Sequence, residues 1–181
     1  NGYNVFTTTF APFQTLRCLD QIKVNLAYSN IKVTMTGLAS GLINGPLGNT
    51  HCCIEDIGAL RSIPNLKILS PADGIGIFKA VYAAAETDQP VYIRLTGGSK
   101  NPIVYHDDIN FKIGEAIEVE TGNDLTIIAT GTMVFNSLQA AKILSQKGIF
   151  ASVWDRHTLK PIDEVAVRKV AAGSEIEKKE K

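Results

Sequence analysis

The segment from Gly45 to Asp73 constrains the fold more than any other part of this chain of 181 residues. It opens with a glycine-rich turn that presents His51, continues with apolar residues at helical spacing, and breaks at Pro64. An apolar run from Leu66 to Leu69 follows and ends at Ser70–Pro71. The order loop, helix, strand, loop is typical of a parallel α/β sheet, in which loops at the carboxyl ends of strands carry the functional residues.

Strand-like and helix-like segments alternate through the rest of the chain. Besides Leu66–Leu69, apolar and β-branched runs predict strands over Val5–Thr9, Ile31–Met35, Val91–Leu95, Leu125–Ala129 and Ala151–Trp154. Helical spacing predicts helices over Leu16–Ala27, Ile54–Ile63, Met133–Gln146 and Asp163–Ala172, and one more with Ile77, Phe78, Val81 and Tyr82 on one side. We expect the strand Val5–Thr9 to be buried, Phe111–Val119 to be extended, and Asp155–Pro161 to be a loop.

Residues 99–110 have no sustained hydrophobic period, contain Asn-Pro and a His-Asp-Asp cluster, and are predicted to be a linker. They separate residues 1–98 from residues 111–181, and each part shows its own strand–helix–strand order. The predicted fold is therefore α/β, with a parallel sheet covered by helices on both faces, followed by a second, partial α/β domain.

Charge and cysteine content exclude several functions. The 18 basic and 18 acidic side chains balance, so we expect neither a nucleic-acid nor a membrane partner. No apolar run reaches the ~20 residues of a membrane span, and no signal peptide is visible, although the start at Asn1 makes us expect further residues upstream. Cys18, Cys52 and Cys53 lack metal-ligand spacing, which predicts no metal site and reduced, mostly buried thiols in a cytoplasmic protein.

A longer pattern now gives a family resemblance. Gly45-Pro46-x-Gly48-x-Thr50-His51 is followed by Ile54-Glu55-Asp56, Leu60-Arg61, Ile63-Pro64-Asn65 and Pro71-Ala72-Asp73. This combination closely resembles the pyrimidine-binding domain of transketolases, most of all the split, two-subunit kind, and also the related deoxyxylulose-phosphate synthase. The likeness runs from about Asn4 to about Val165, and residues 111–181 resemble the start of the transketolase C-terminal domain. It implies an enzyme that transfers a two-carbon ketol unit from a ketose to an aldehyde with thiamine diphosphate.

Four positions are candidate site residues on their own chemistry. Phe10 and Phe13, at a strand end and a helix start, are core residues or a ligand platform. His51 lies in a loop, where an imidazole is free to donate or take a proton. Arg94 lies in an apolar strand and needs an anion, either a structural carboxylate or a ligand.

The resemblance assigns roles to these residues. It implies that Phe10 and Phe13 hold the aminopyrimidine ring of thiamine diphosphate and that His51 is catalytic, facing the substrate. Arg94 would bind the substrate's phosphate end. Asn49, next to the catalytic loop position, is the second predicted substrate contact, with loop shaping as the alternative.

Two departures from the family pattern concern the substrate. Leu47 stands where the family has an acidic residue that hydrogen-bonds a sugar hydroxyl, and Ala39 stands where it has a second histidine. A site that loses such polar contacts accepts a different substrate, since one built for a hydroxyl rejects its deoxy analogue by ~10⁴-fold or more. The departures therefore predict a modified or unusual sugar.

The diphosphate and Mg²⁺ motif of the family is missing, as is the glutamate that activates the cofactor, which we expect upstream of Asn1. The resemblance therefore implies a partner domain or subunit that binds the diphosphate and Mg²⁺, in a homo- or hetero-oligomer. Three alternatives stay open: a deoxyxylulose-phosphate synthase-like enzyme, a 2-oxo-acid dehydrogenase β-subunit-like enzyme, and a non-catalytic assembly or regulatory subunit that keeps the fold.

Overall fold

A computed structural model describes residues 2–98 and 101–173 of the protein. Within these residues the larger sheet consists of β1 (Val5–Phe10), β2 (Val33–Leu38), β3 (Lys67–Leu69), β4 (Val91–Arg94) and β8 (Thr158–Lys160). The strands lie in the order β1-β2-β4-β3-β8. The first four are parallel, and β8 is antiparallel to β3. The carboxyl ends of the four parallel strands thus share one edge of the sheet, where α/β proteins bind ligands.

Helical segments cover both faces of this sheet, as predicted. Tyr92 of β4 packs on one face with residues of the segment after β1 and of α3 (Asp56–Arg61). Its neighbours Val91 and Ile93 point to the other face and contact Ala80 and Ala84 of α4 (Gly74–Glu86). The alternation follows from the two-residue period of a strand. β4 is therefore buried from both sides.

The segment between β1 and β2 corrects one prediction, that of a regular helix over Leu16–Ala27. The chain instead forms α1 (Ala11–Gln14), a 3₁₀ turn (Leu16–Cys18), α2 (Leu19–Gln21) and a π-helical stretch (Ile22–Tyr28). The Cys18 thiol donates to the carbonyl oxygens of Phe13 and Gln14, at 3.4 and 3.1 Å. Side-chain bonds of this kind compete with the regular helical ladder, and the helix breaks there.

A smaller sheet follows the linker. Its described strands are β5 (Ile117–Glu120), β6 (Leu125–Ala129) and β7 (Ala151–Asp155), in the order β5-β7-β6, flanked by α5 (Met133–Ser145) and α6 (Glu164–Gly173). β6 and β7 are parallel and lie where strands were predicted, whereas β5 is antiparallel to β7. No helix in residues 2–98 or 101–173 combines the length and the apolar character needed to cross a bilayer.

The prediction that Asp155–Pro161 is a loop is wrong, because this range contains β8. After the smaller sheet the chain returns to the larger one, where β8 pairs with β3, with Ile68 opposite Lys160 and Leu69 opposite Thr158. A three-residue strand is too short to show a hydrophobic period. The division into residues 1–98, 99–110 and 111–181 stays a prediction, and β8 shows that the two parts share a sheet.

Two further surfaces differ from expectation. β1 is an edge strand, and its predicted burial is wrong, since Val5 and Phe6 are 46% and 44% exposed. On α4, the face toward the sheet consists of small residues, Gly76, Ala80 and Ala84. The predicted apolar stripe therefore faces outward, with Phe78 58% and Tyr82 59% exposed and their ring centroids 4.7 Å apart.

Candidate active site

The two phenylalanines and the histidine singled out in the sequence meet at the carboxyl edge of the larger sheet. Ring centroids lie 6.0 Å apart for Phe10 and Phe13, 5.3 Å for Phe10 and His51, and 5.1 Å for Phe13 and His51. All three pairs are edge-to-face, the arrangement that aromatic rings favour. All three side chains are partly exposed, so this aromatic cluster is open to a ligand.

Local sequence explains the position of the two phenyl rings. Phe10 is the last residue of β1 and the residue that precedes α1, and it has extended backbone angles. Pro12 occupies the first turn of α1, where its fixed φ fits and its missing N–H is not needed. Residues three apart at a helix start lie on one side, so Phe13 comes to stand next to Phe10.

A glycine-rich turn brings His51 to the same place. The 3₁₀ segment Gly45–Thr50 has a kink at Gly48, whose φ of 65° lies in the left-handed region that glycine adopts without strain. The backbone N–H groups of His51 and Cys52 both donate to the Gly48 carbonyl, at 3.1 and 3.0 Å. The turn is thereby closed immediately before the imidazole.

Side chains hold the imidazole and one phenyl ring from outside. The Thr50 hydroxyl lies 2.9 Å from Nδ1 of His51. Arg17 donates from Nη2 to the Thr50 carbonyl at 3.3 Å, and its guanidinium lies 4.1 Å from the centre of the Phe13 ring. The sequence interpretation missed Arg17, although it lies four residues after Phe13, the spacing at which side chains meet on a regular helix.

Arg94 obtains its anion from the protein itself. Its Nε donates to Oδ2 of Asp56 at 2.8 Å, and the two side chains are 12% and 0% exposed. Tyr92 donates from Oη to the same oxygen at 2.9 Å, and burial together with the charge on Asp56 raises the pKa of Tyr92. The structural ion pair, one of the two interpretations of Arg94, is therefore present, and substrate binding by Arg94 stays a prediction.

Two family profiles match the chain. The pyrimidine-binding domain of transketolase matches residues 1–100, and the transketolase C-terminal domain matches residues 114–175. The first match alone covers more than half of the chain. The chain belongs to the transketolase family.

Individual relatives agree with the profiles. An apulose-4-phosphate transketolase subunit of Phocaeicola vulgatus is 41% identical over 94% of this chain and 55% of its own length. A 6-deoxy-6-sulfo-D-fructose transketolase subunit of a Clostridium species is 38% identical over 92% of this chain and 51% of its own length. The chain thus spans about half the length of these relatives.

Among solved structures, a split-gene transketolase described as an inactive beta4 tetramer superposes with a TM-score of 0.86 at 37% identity. The match covers 94% of this chain and 55% of that chain. The predicted resemblance to split transketolases and the predicted α/β fold are both confirmed.

The remaining predicted positions also lie near this edge of the sheet. Asn49 and Leu47 are exposed on the turn before His51, with Leu47 52% exposed. Ala39, where the transketolase family has its second histidine, has a φ of 51°, a left-handed conformation that is strained for alanine. It follows β2 and lines an open groove of about 500 Å³. At both positions where the chain departs from the family pattern, Leu47 and Ala39, the side chain is apolar.

The cysteines are partly as predicted. Among the described residues, Cys18, Cys52 and Cys53 are free, and only Cys53 is fully buried. Burial raises the pKa of the Cys53 thiol, whose Sγ lies 3.7 Å from the Thr15 hydroxyl. Within residues 2–98 and 101–173, no three histidine, cysteine or acidic side chains are grouped so as to hold a metal ion.

A second polar cluster, missed in the sequence, lies where the two sheets of this transketolase-family chain meet. Tyr105 donates to Oδ2 of Asp155 at 2.6 Å. Asp73 accepts the backbone N–H groups of Val104 and Tyr105 and, at the start of α4, that of Gly76. Burial and then the charge on Asp73 raise the pKa of Asp155 to about 7, although the Tyr105 hydrogen bond acts in the opposite direction.

His157 belongs to this junction. It is 1% exposed, and its ring stacks on Phe111 with centroids 3.9 Å apart. Burial lowers the pKa of His157 to about 4, against the opposing charge of Asp163. No periodic signal in the sequence marked this histidine, because its neighbours come from distant segments.

Proposed function

We propose that this chain is the pyrimidine-side component of a thiamine-diphosphate-dependent transketolase, which moves a two-carbon ketol unit from a ketose to an aldehyde. The observation that carries the proposal is the aromatic cluster. His51 is far from Phe10 and Phe13 in the sequence, yet the three side chains form one open site at the ligand-binding edge of a transketolase-type sheet. A cluster that served only the core would be sealed.

The cluster fits the aminopyrimidine ring of the cofactor. Two phenyl rings at right angles, both partly exposed, provide an apolar slot for a flat heterocycle. Phe10 and Phe13 would hold that ring by stacking and burial of area. When bound, thiamine diphosphate supplies the carbon nucleophile that breaks and remakes the C–C bond.

His51 would handle protons on the substrate. Thr50 engages Nδ1 of its ring, which leaves Nε2 for a substrate oxygen. Histidine exchanges protons near neutral pH, so His51 would polarise or protonate an oxygen of the transferred unit. Asn49, exposed on the same loop, and the outer nitrogens of Arg94 are the proposed substrate contacts, Arg94 at a phosphate.

A partner would complete the site. We propose a diphosphate-binding domain or subunit that also holds Mg²⁺, in a homo- or hetero-oligomer. In support, α4 presents Phe78, Val81 and Tyr82 to solvent, and the loop before Gly45 exposes Leu42, so large apolar side chains are left for another protein to cover. Related proteins are named as transketolase subunits. The free cysteines agree with a cytoplasmic location.

The substrate is proposed to be a modified sugar. Leu47 and Ala39 present apolar groups where the family pattern has an acid and a histidine. The names of two relatives refer to apulose-4-phosphate and to 6-deoxy-6-sulfo-D-fructose, each an unusual sugar. An apolar contact in place of a polar one favours a substrate that lacks or replaces a hydroxyl there.

Reconstitution tests the proposal. The protein is mixed with the diphosphate-binding subunit of a split transketolase, and ketol transfer is measured with and without thiamine diphosphate. We expect transfer that requires the cofactor and is lost in His51→Ala. Absence of cofactor binding with every such partner would show a non-catalytic subunit instead.

A further inference from the structure

Asp56 is a fully buried carboxylate that follows the His51 loop in the chain. It lies at the start of α3, shortly after His51 in the chain, and its side chain is 0% exposed. Its Oδ2 accepts two hydrogen bonds, from Tyr92 Oη at 2.9 Å and from Arg94 Nε at 2.8 Å. Both donors belong to β4, a central strand of the larger sheet, so Asp56 fastens the end of the loop to the rigid part of the fold.

The fold makes specific room for this contact. A Cβ atom at Gly37 of β2 would clash with the ring and the hydroxyl of Tyr92, so only glycine leaves room for this side chain over the strand. Ser40 places its hydroxyl 3.4 Å from the same oxygen. Glycine at this position therefore serves the Tyr92–Asp56 hydrogen bond.

A second attachment lies between Asp56 and the loop. Gly41 and Cys53 exchange two backbone hydrogen bonds, from Gly41 N at 2.7 Å and from Cys53 N at 2.9 Å. The turn Gly45–Thr50 between them is exposed throughout. The loop is thus bonded to the sheet region at its base and exposed at its turn, and His51 lies between the two.

We propose that Asp56 is the positioning residue for His51: held by Tyr92 and Arg94, it keeps the base of the loop on β4 and the imidazole against Phe10 and Phe13. For the role of the imidazole, the inference rests on the proposed function. Arg94 then acts through Asp56, and its Nε is committed to the loop. The proposed phosphate contact is left to its terminal nitrogens.

The test removes the ion pair as a unit. Losing one partner of a buried pair leaves an uncompensated charge, whereas apolar replacement of both is often neutral for stability. The variant is Asp56→Leu with Arg94→Met in the full-length protein. Its matched control is Glu164→Leu with Arg168→Met, which removes an exposed pair on α6.

The readout is independent of catalysis. Nuclear Overhauser contacts from the His51 ring to Phe10 and Phe13 are measured by NMR, with the contact between His157 and Phe111 as an internal reference. We expect the His51 contacts to fall several-fold in the ion-pair variant and to persist in the control. The His157 contact should persist in both. Unchanged His51 contacts in a folded variant would overturn the proposal.

Tyr92→Phe keeps the test decisive if the double variant does not fold. It removes one donor to Asp56 but keeps the ion pair with Arg94, so no buried charge loses its partner, and a smaller weakening of the same contacts is expected. Unchanged contacts in this folded variant would overturn the proposal as well.

An activity measurement separates positioning from phosphate binding. In the assembled complex we expect kcat to fall by about 10–100-fold in the ion-pair variant, because small misplacements of a catalytic group have effects of this size. KM for a phosphorylated substrate should also rise, because the terminal nitrogens of Arg94 are removed together with the ion pair. A rise in KM for the phosphorylated sugar alone, with kcat kept, would overturn the positioning role. If the unmodified complex has no activity but the NMR contacts respond as expected, the proposed function fails and the positioning of His51 by Asp56 stands.

Discussion

Two histidines of this protein lie against phenylalanine rings, and their surroundings differ in every other respect. His51 meets the edges of Phe10 and Phe13 in a partly exposed cluster. His157 lies flat on Phe111, 1% exposed, at the junction of the two sheets. The sequence patterns alone predict a loop position for both.

The comparison shows that a loop position does not make a histidine reactive. Burial lowers the pKa of His157 to about 4, so it stays neutral at pH 7 and cannot donate the proton that an acid catalyst needs. His51 has one nitrogen engaged by Thr50, and its ring is partly exposed. Exposure next to aromatic rings, and not loop position, distinguishes the candidate catalyst.

The largest expected effect separates the two histidines by activity. His51→Ala should lower kcat of the assembled complex by about 10²–10⁴-fold, the usual contribution of a general acid or base. His157→Ala should leave kcat within a few-fold while it lowers the stability of the fold. His106→Ala, at an exposed position, is the control. Equal losses of activity in the His51 and His157 variants would break the comparison.

The pH dependence of stability tests the buried side of the comparison. The pKa of Asp155 is raised from its ordinary value of 3.8 to about 7. Between these two pH values the folded state holds a proton that the unfolded chain releases. The contribution of Asp155 to stability therefore falls as pH rises over this range. For His157, whose pKa is lowered from 6.5 to about 4, the unfolded chain holds the extra proton, and the contribution rises with pH over that range. The two effects oppose each other.

Asp155→Asn removes the opposing contribution, so the increase of stability with pH that His157 causes should become visible. We expect the free energy of unfolding of this variant, measured by urea titration, to increase from about pH 4 to about pH 6.5 more steeply than in the unmodified protein, by about 1.4 kcal/mol for each unit of pKa shift removed. Glu164→Gln on exposed α6 is the control. An unaltered slope would show that Asp155 is not the group responsible.

A smaller effect is expected on the affinity for the cofactor when either phenylalanine of the aromatic cluster is replaced. Phe10→Ala and Phe13→Ala should each weaken thiamine diphosphate binding to the assembled complex by roughly tenfold, from lost stacking and buried area. Phe111→Ala should leave cofactor affinity unchanged and lower stability. Calorimetric titration measures the affinity. Weaker binding in the Phe111 variant, with none in the other two, would reverse the assignment.

The smallest expected effect concerns substrate choice at the His51 loop. Leu47→Asp should raise turnover of ordinary phosphorylated ketoses a few-fold relative to the native substrate, since it restores a hydroxyl contact. Competition between the two sugars in one assay measures the change. Leu47→Asn adds polarity without charge and serves as the comparison variant. An unchanged preference would show that Leu47 does not contact the sugar.

Much of the fold could be predicted from local patterns, and the exceptions have physical causes. The run Leu125–Ala129 is a strand as predicted, because a short run of mostly apolar and β-branched residues needs no distant partner to be recognised. β8 was missed because its three residues form a strand only by pairing with β3. The stripe on α4 was identified correctly, but its direction depends on alanines fitting closer to the sheet.

Some residues of the candidate site could likewise be predicted from the sequence, and others could not. Phe10, Phe13 and His51 were predicted from sequence motifs and their resemblance to transketolases, and the structure brings them together. Arg17 was not singled out and Asp56, although part of the family motif, was given no role, because their importance comes from contacts with residues far away in the sequence. Sequence therefore found the groups that would touch a ligand and missed those that hold them.

The most direct test of the central claim is a crystal structure of the assembled complex with thiamine diphosphate bound. The account predicts electron density for the aminopyrimidine ring against the rings of Phe10 and Phe13, with His51 facing the reacting end of the cofactor. Density for the pyrimidine ring elsewhere, with the aromatic cluster closed or covered by the partner's backbone, would contradict it.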